Sequence, residues 1–339
     1  MTTHPPPQPI REIHGLEPRS LPDEVLRSPE PLVLRGLVAQ WPLVRAGLES
    51  PRAGVEYLKR FYRGLPVTVM SAAPEIRGRF FYNADMSGFN FRLAKAPLDK
   101  VLDELERISG DTGAGSVYVG STDIDKCLPG LRAENDVPLR VRDCQTNIWI
   151  GNRTRVAPHN DGPDNLACVV LGRRRFTLFP PDQVGNLYVG PFEFTPAGQP
   201  VSMVDLASPD FTRHPKFAQA LAHMRVAELN AGDALVIPSQ WWHSIESLDD
   251  INALINYWWD DGPAYADAPL LALMFAISTV RDLPPAKRAA WEAQFRHYVF
   301  DADESTAAHI PPSRRQLLGK LDPEIVRRLK LYIGERLKR

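Results

Sequence analysis

The sequence predicts a mainly β protein, a sandwich or barrel flanked by helices and followed by a helical C-terminal segment. Three observations carry that reading. From Ser116 to Trp259, short β-branched and aromatic runs recur between turn-rich loops with no helical pattern among them. Outside that region the apolar spacing changes to threes and fours, at Leu98–Ser109 and again beyond Pro269. The 339 residues are 44% hydrophobic and 24% charged, enough apolar content for a substantial core.

The elements follow in order. Residues 1–9, polar and Pro-rich, read as a disordered leader. Pro31–Leu37 reads as a short buried strand, and Gly54–Arg63 as a helix after Trp41-Pro42. Leu65–Ser71 is β-branched and reads as a second strand, with Phe80–Tyr82 as another. Leu98, Val101, Leu102, Leu105 and Ile108 mark an amphipathic helix that Gly110, Gly113 and Gly115 end. Strands are then expected at Val117–Val119, Asn147–Ile150, Ala167–Phe179 (broken by Gly172), Ala234–Pro238 and Ala253–Trp259. Pro269–Val280, Ala286–Val299 and Asp322–Leu337 read as helices. An apolar helical tail of this kind must cover the barrel or pack on a second copy. The basic face of the last helix reads as a solvated surface.

Composition excludes several classes. Lys+Arg total 40 against Asp+Glu 41, so no global charge points to nucleic acid or a membrane surface. No apolar run reaches the length of a membrane span, and the N-terminus lacks a basic-then-apolar signal, so the expected location is the cytoplasm. Cys127, Cys144 and Cys168 are odd in number and form no Cys-x-x-Cys pair, which argues against a zinc cluster or a disulfide framework.

Within the strand-rich region, Ala157-Pro158-His159-Asn160-Asp161 stands out. In extended chain, residues i and i+2 face the same way, so His159 and Asp161 converge. Together they are two thirds of a two-His-one-carboxylate site, which leaves positions open on iron(II). The same Pro, Asn and Gly residues would also suit a plain solvated turn. His243 is the one other histidine set among strands and aromatics, in Ile237-Pro-Ser-Gln-Trp-Trp-His243. It is either a third ligand or a core histidine bonded to backbone. After Gly172, alternation puts Arg174, Phe176 and Leu178 on the inward face and Arg173, Arg175 and Thr177 on the other. A charge facing inward must be paired, by an inter-strand carboxylate or by an anionic small molecule.

These stretches, with Gly172-Arg-Arg-Arg-Phe-Thr-Leu-Phe-Pro-Pro181, Ser244-Ile-Glu-Ser247 and Asn256-Tyr-Trp258, resemble the cupin-like JmjC hydroxylases, the family of the asparaginyl hydroxylase that inhibits hypoxia-inducible factor. The resemblance is strongest over Ser116 to Pro263. It implies a double-stranded β-helix (jelly-roll) with iron(II), 2-oxoglutarate and O2 as reactants. It implies His159, Asp161 and His243 as iron ligands and Arg174, where the family usually carries Lys, on the distal carboxylate of 2-oxoglutarate. Tyr118, Thr122, Asn165 and Asn256 match positions lining the co-substrate pocket. Val156 and Gly120 replace polar family residues, which implies a different substrate. The expected organisation is an N-terminal α/β segment over 10–115, a catalytic barrel over 116–263 and a helical dimerisation region over 264–339. The expected activity is hydroxylation of a protein, peptide or amino-acid-like side chain, with succinate and CO2 as products. N-demethylation, or a non-catalytic metal- or ligand-binding cupin, would be built on the same residues.

Overall fold

The structure is a computed structural model and describes residues 6–338. The chain divides into two compact units, Met1–Asp260 and Asp261–Arg339. The strands among the described residues are β1 Gln8–Pro9, β2 Arg11–His14, β3 Leu32–Arg35, β4 Val67–Ala72, β5 Arg92–Ala96, β6 Ser116–Asp123, β7 Gln145–Gly151, β8 Arg155–His159, β9 Asp164–Leu171, β10 Arg174–Phe179, β11 Arg225–Leu229, β12 Ala234–Ile237, β13 Trp242–Ser247 and β14 Asn252–Trp259. They form two sheets, in the orders β1-β11-β10-β13-β8 and β2-β3-β12-β9-β14-β7-β6-β4-β5.

Strands β7 to β14 make the barrel. β7, β9, β12 and β14 lie in the larger sheet, and β8, β10, β11 and β13 in the smaller. All the pairings among them are antiparallel, and the chain keeps crossing from one sheet to the other. That is a double-stranded β-helix, mainly β with flanking helices. The near-continuous apolar run of β9 follows from its place. Leu166, Cys168 and Val170 face the core between the larger sheet and the helices, while Ala167 and Val169 face the barrel interior. A strand covered on both faces has no reason to alternate polar with apolar.

Gly172 separates what reads in sequence as one long strand into β9 and β10, in different sheets. Its φ is +67°, and a Cβ there would lie 2.6 Å from the Ile251 carbonyl oxygen. Only glycine turns the chain here without a clash.

The helix Leu98–Ile108 buries all five of its periodic apolar side chains against the larger sheet's outer core. Each such burial is worth about 1.5–3 kcal/mol as an upper estimate. Pro42–Glu49 and Pro51–Lys59 form a helical pair on the same side; the second replaces the single helix expected at Gly54–Arg63, because Ser50 caps it at Ala53 N, 3.1 Å away. Phe80–Tyr82 is no strand. These aromatics are buried in an irregular segment held by isolated bridges, Arg79 to Arg155 and Tyr82 to Phe89. Of the leader expected over residues 1–9, residues 1–5 lie outside the described residues, whereas Gln8–Pro9 pair in parallel with Arg225–Val226.

The second unit carries helices Pro269–Thr279, Pro285–Phe295 and Pro323–Leu337. Asp322 caps the last by accepting from Ile325 N at 2.8 Å. No helix among the described residues is long and apolar enough to cross a membrane.

Candidate metal centre

β8 and β13 are neighbours, and their register sets His159 directly opposite His243, with ring centroids 4.3 Å apart. β8 ends at His159, and Asp161 follows in a loop tied to the β12–β13 turn. Gln240 N donates to Asp161 O at 3.0 Å, and Ser239 Oγ donates to Gly162 O at 2.5 Å. The tie brings the Asp161 carboxylate to 3.6 Å from His243 Nε2. One ligand atom from each of His159, Asp161 and His243 lies within 4.8 Å of the others.

Both imidazoles are oriented by backbone. His159 Nδ1 is 2.9 Å from Ala157 O, and His243 Nδ1 is 3.0 Å from Trp241 O. A carbonyl only accepts, so each Nδ1 donates to it and each Nε2 is the ring atom left to face a metal. Burial, then the neighbouring His159, push His243 down to about 4. It therefore stays neutral, as a ligand must. His243 bonds to backbone and also faces the other two donors.

A cavity of about 330 Å³ opens over this cluster. Arg174 lines it from the start of β10 and is 2% exposed. Its Nη2 donates to Trp149 O at 3.3 Å, its Nε has no partner, and among the described residues no carboxylate lies within ion-pair distance. Burial lowers it to about 10, against the opposing pull of Tyr118. Tyr118, in turn, is pushed up to about 12 by burial, so its phenol stays protonated. Asn256 accepts from Trp149 Nε1 at 2.8 Å and donates to Asn165 Oδ1 at 3.2 Å. Tyr118, Asn165 and Asn256 therefore line the same cavity as Arg174 and the three donors.

Thr122 does not. The register of β6 shifts between Val119 and Thr122, and the Thr122 hydroxyl donates back to Gly120 O at 3.0 Å. The shift puts Gly120 and Ser121 in the wall instead. Val156 is also in the wall. Sequence reasoning missed Phe80, Trp149 and Trp258 as wall residues. Alternation could have found Trp149, which shares a face with Asn147 between the core residues Ile148 and Ile150. Pro196 and Gln199 come from a loop that carries no periodic signal.

The donor set fits a divalent transition metal with open positions: two imidazoles and one carboxylate at a cavity walled largely by apolar and aromatic residues. A guanidinium with no carboxylate within ion-pair distance among the described residues fits an anionic co-ligand.

The sequence matches the family described as Cupin-like domain over residues 18–265. Lysine-specific demethylase 8 of Xenopus tropicalis is 25% identical over 260 residues, 74% of this chain and 52% of that protein. Lysine-specific demethylase JMJ31 of Arabidopsis thaliana is 34% identical over 114 residues, 33% of this chain and 20% of that protein. HSPB1-associated protein 1 of Homo sapiens is 34% identical over 116 residues, 34% of this chain and 23% of that protein. The matched stretches thus span from a fifth to about half of the length of these curated relatives.

Proposed function

The chain belongs to the cupin-like JmjC domain family, and from that premise we propose that it is an iron(II)- and 2-oxoglutarate-dependent hydroxylase of a protein, peptide or amino-acid-like side chain. The observation that carries the reading is Arg174: a fully buried guanidinium, without a carboxylate, in one cavity with a His-Asp-His cluster.

When bound, iron(II) and 2-oxoglutarate supply the oxidation of a C–H bond by dioxygen, with succinate and CO2 as products. The chain's own residues do the rest. His159, Asp161 and His243 would hold the metal, each imidazole through the Nε2 that its backbone partner leaves free. Arg174 would grip the distal carboxylate of 2-oxoglutarate, and guanidinium suits that contact as a fork of parallel donors. Tyr118, protonated, can donate to the same anion. Asn165 and Asn256 brace the wall through Trp149. The aromatic wall keeps water from the reacting groups.

A second reading, N-demethylation, is favoured by the names of two relatives. Hydroxylating an N-methyl carbon gives a product that sheds formaldehyde. Against it, among the described residues the only acidic side chain in the wall is Asp161, which would itself hold the metal, so a cationic substrate group finds no other carboxylate among them. Purified protein with iron(II), 2-oxoglutarate and a peptide pool tests both readings. We expect succinate that requires iron(II), with no formaldehyde. Formaldehyde in step with succinate would replace hydroxylation by demethylation. Metal binding without succinate would leave a non-catalytic cupin.

A homodimer through the C-terminal unit is part of this proposal. On Pro269–Thr279, Leu270, Leu271, Leu273 and Phe275 are 37%, 59%, 50% and 46% exposed. Apolar surface on that scale favours a second copy. Sedimentation of the full chain, with and without Leu271→Glu, measures it. Free cysteines, two of them buried, support a cytoplasmic location.

A further inference from the structure

A second cavity, of about 550 Å³, is lined by Arg77, Arg79, Arg153 and Arg155 with Asp205 and Glu246. It shares walls with the metal cavity. Arg79, Arg155 and Glu246 line this one, while their neighbours Phe80, Val156 and Ile245 line the other. Successive residues of an extended chain face opposite ways, so the two cavities lie back to back across the same backbone.

The arginines are brought together by a close approach of two chain segments. Arg155 N donates to Gly78 O at 2.8 Å, and Arg155 Nε donates to Arg77 O at 3.0 Å. Gly78 has φ +78°, and a Cβ on it would lie 2.1 Å from the Arg153 carbonyl oxygen. No other residue permits that pinch.

The charges do not balance within the cavity. Glu246 is engaged by Arg175 at 3.0 Å, and Arg153 by Asp250 at 2.7 Å, both partners outside the lining. That leaves Arg77, Arg79 and Arg155 facing Asp205 and the exposed Glu75. Asp205 is shared, 3.4 Å from Arg155 Nη1 and 3.9 Å from Arg79 Nη1. Arg79 is fixed by stacking, its Cζ 3.7 Å over the Phe81 ring, and its buried Nη2 has no hydrogen-bond partner. A buried guanidinium nitrogen left unsatisfied is costly, and native structures rarely leave one without a ligand or water. The whole chain is near neutral, so this is a local concentration of charge and not a share of a basic surface.

We propose that this cavity is a second ligand site, separate from the metal centre, that takes a compact oxyanion carrying two or more negative charges. Arg79 and Arg155 supply the inner positive charges, Arg77 adds charge at the solvent side, and Asp205 lies between the two inner guanidinium groups. A polyvalent anion gains from all three cations, whereas chloride offers one charge and no fork geometry.

Titration calorimetry of the full chain at fixed ionic strength tests this, with inorganic phosphate, succinate and chloride as probes. Saturable one-to-one binding is expected for phosphate or succinate and not for chloride, and the two probes tell a tetrahedral oxyanion from a dicarboxylate. Losing one charge-assisted donor pair should weaken binding about tenfold in Arg79→Gln. Arg79→Lys should recover part of it, since the charge returns without the fork. Arg77→Gln, at an exposed position, should weaken binding less, and it keeps the test decisive if Arg79→Gln does not fold. Arg174→Gln, in the metal cavity, should leave phosphate binding unchanged. Absence of saturable binding, equal affinity in Arg79→Gln and Arg77→Gln and wild type, or a loss confined to Arg174→Gln would overturn the proposal. None of these outcomes depends on whether the protein turns over 2-oxoglutarate.

Discussion

Arg174 and Arg175 are adjacent on β10, yet the two faces of the smaller sheet treat them in opposite ways. Around β10 the outer face gives both neighbouring arginines their counter-charges. Arg175 reaches Glu228 at 2.6 Å and Glu246 at 3.0 Å, and the preceding Arg173 reaches Asp249 at 2.8 Å. On the inner face none among the described residues lies within ion-pair distance, and Arg174 is buried beside the His-Asp-His cluster with one backbone hydrogen bond. The outer pairs sit in water and contribute little each. The inner charge cannot be tolerated alone at no cost. The difference teaches that the chain pairs its arginines freely on one face of a strand and not on the other, and on the proposed function the unpaired one is kept for a ligand.

The largest expected effect is on the cluster itself. Asp161→Ala removes one of three donors and should cut succinate formation by about 100-fold or more, about 2.7 kcal/mol in the barrier. Next is the inner arginine. Arg174→Gln should raise the 2-oxoglutarate requirement about 30-fold, as loss of a charged hydrogen bond worth about 2 kcal/mol. Without co-substrate the same variant should melt no lower than wild type, because removing an unpaired buried charge relieves desolvation. A lower melting temperature would mean that Arg174 already has its partner. Asn256→Ala strands the Trp149 indole N–H and the Asn165 carbonyl. It should cost about 1–3 kcal/mol in urea unfolding, with a smaller effect on co-substrate binding. Arg175→Gln should change stability by no more than about 1 kcal/mol and leave turnover as it was.

The smallest effect is with pH. The hydrogen bond from Arg173 holds Asp249 below its usual 3.8. A carboxyl depressed in the folded state stabilises above the unfolded value and loses that stabilisation as pH falls through the folded one. Asp249→Asn should therefore lower thermal stability slightly near neutral pH and flatten its pH dependence only at the acid end. A pH dependence altered near neutral would contradict the outer-face account.

Much of this contrast was legible in the sequence, because period-two alternation assigns faces without further information. It put Arg174 inward with Phe176 and Leu178, and all three are buried. His159 and Asp161 also meet, although β8 ends at His159 and the loop after it carries Asp161. The barrel strands with apolar runs were legible for the same reason. β13 was not, since Trp242–Ser247 mixes aromatic, charged and hydroxyl residues on a strand with a register shift beside His243. Thr122 was misplaced by a similar shift in β6, which a sequence motif does not reveal. The Arg79–Arg155 approach depends on Gly78, distant in sequence from its partner strand. Proximity of that kind is written in three dimensions only.

The central claim is that Arg174 waits for the distal carboxylate of 2-oxoglutarate. The most direct measurement compares 2-oxoglutarate with 2-oxopentanoate, which keeps the keto acid and carbon count but lacks that carboxylate. Binding of each to the metal-loaded wild type and to Arg174→Gln completes a cycle. Wild type should prefer 2-oxoglutarate by about 30-fold or more, and the preference should nearly vanish in Arg174→Gln. The same preference in both proteins would show that another group holds the carboxylate, and the assignment of Arg174 would fail.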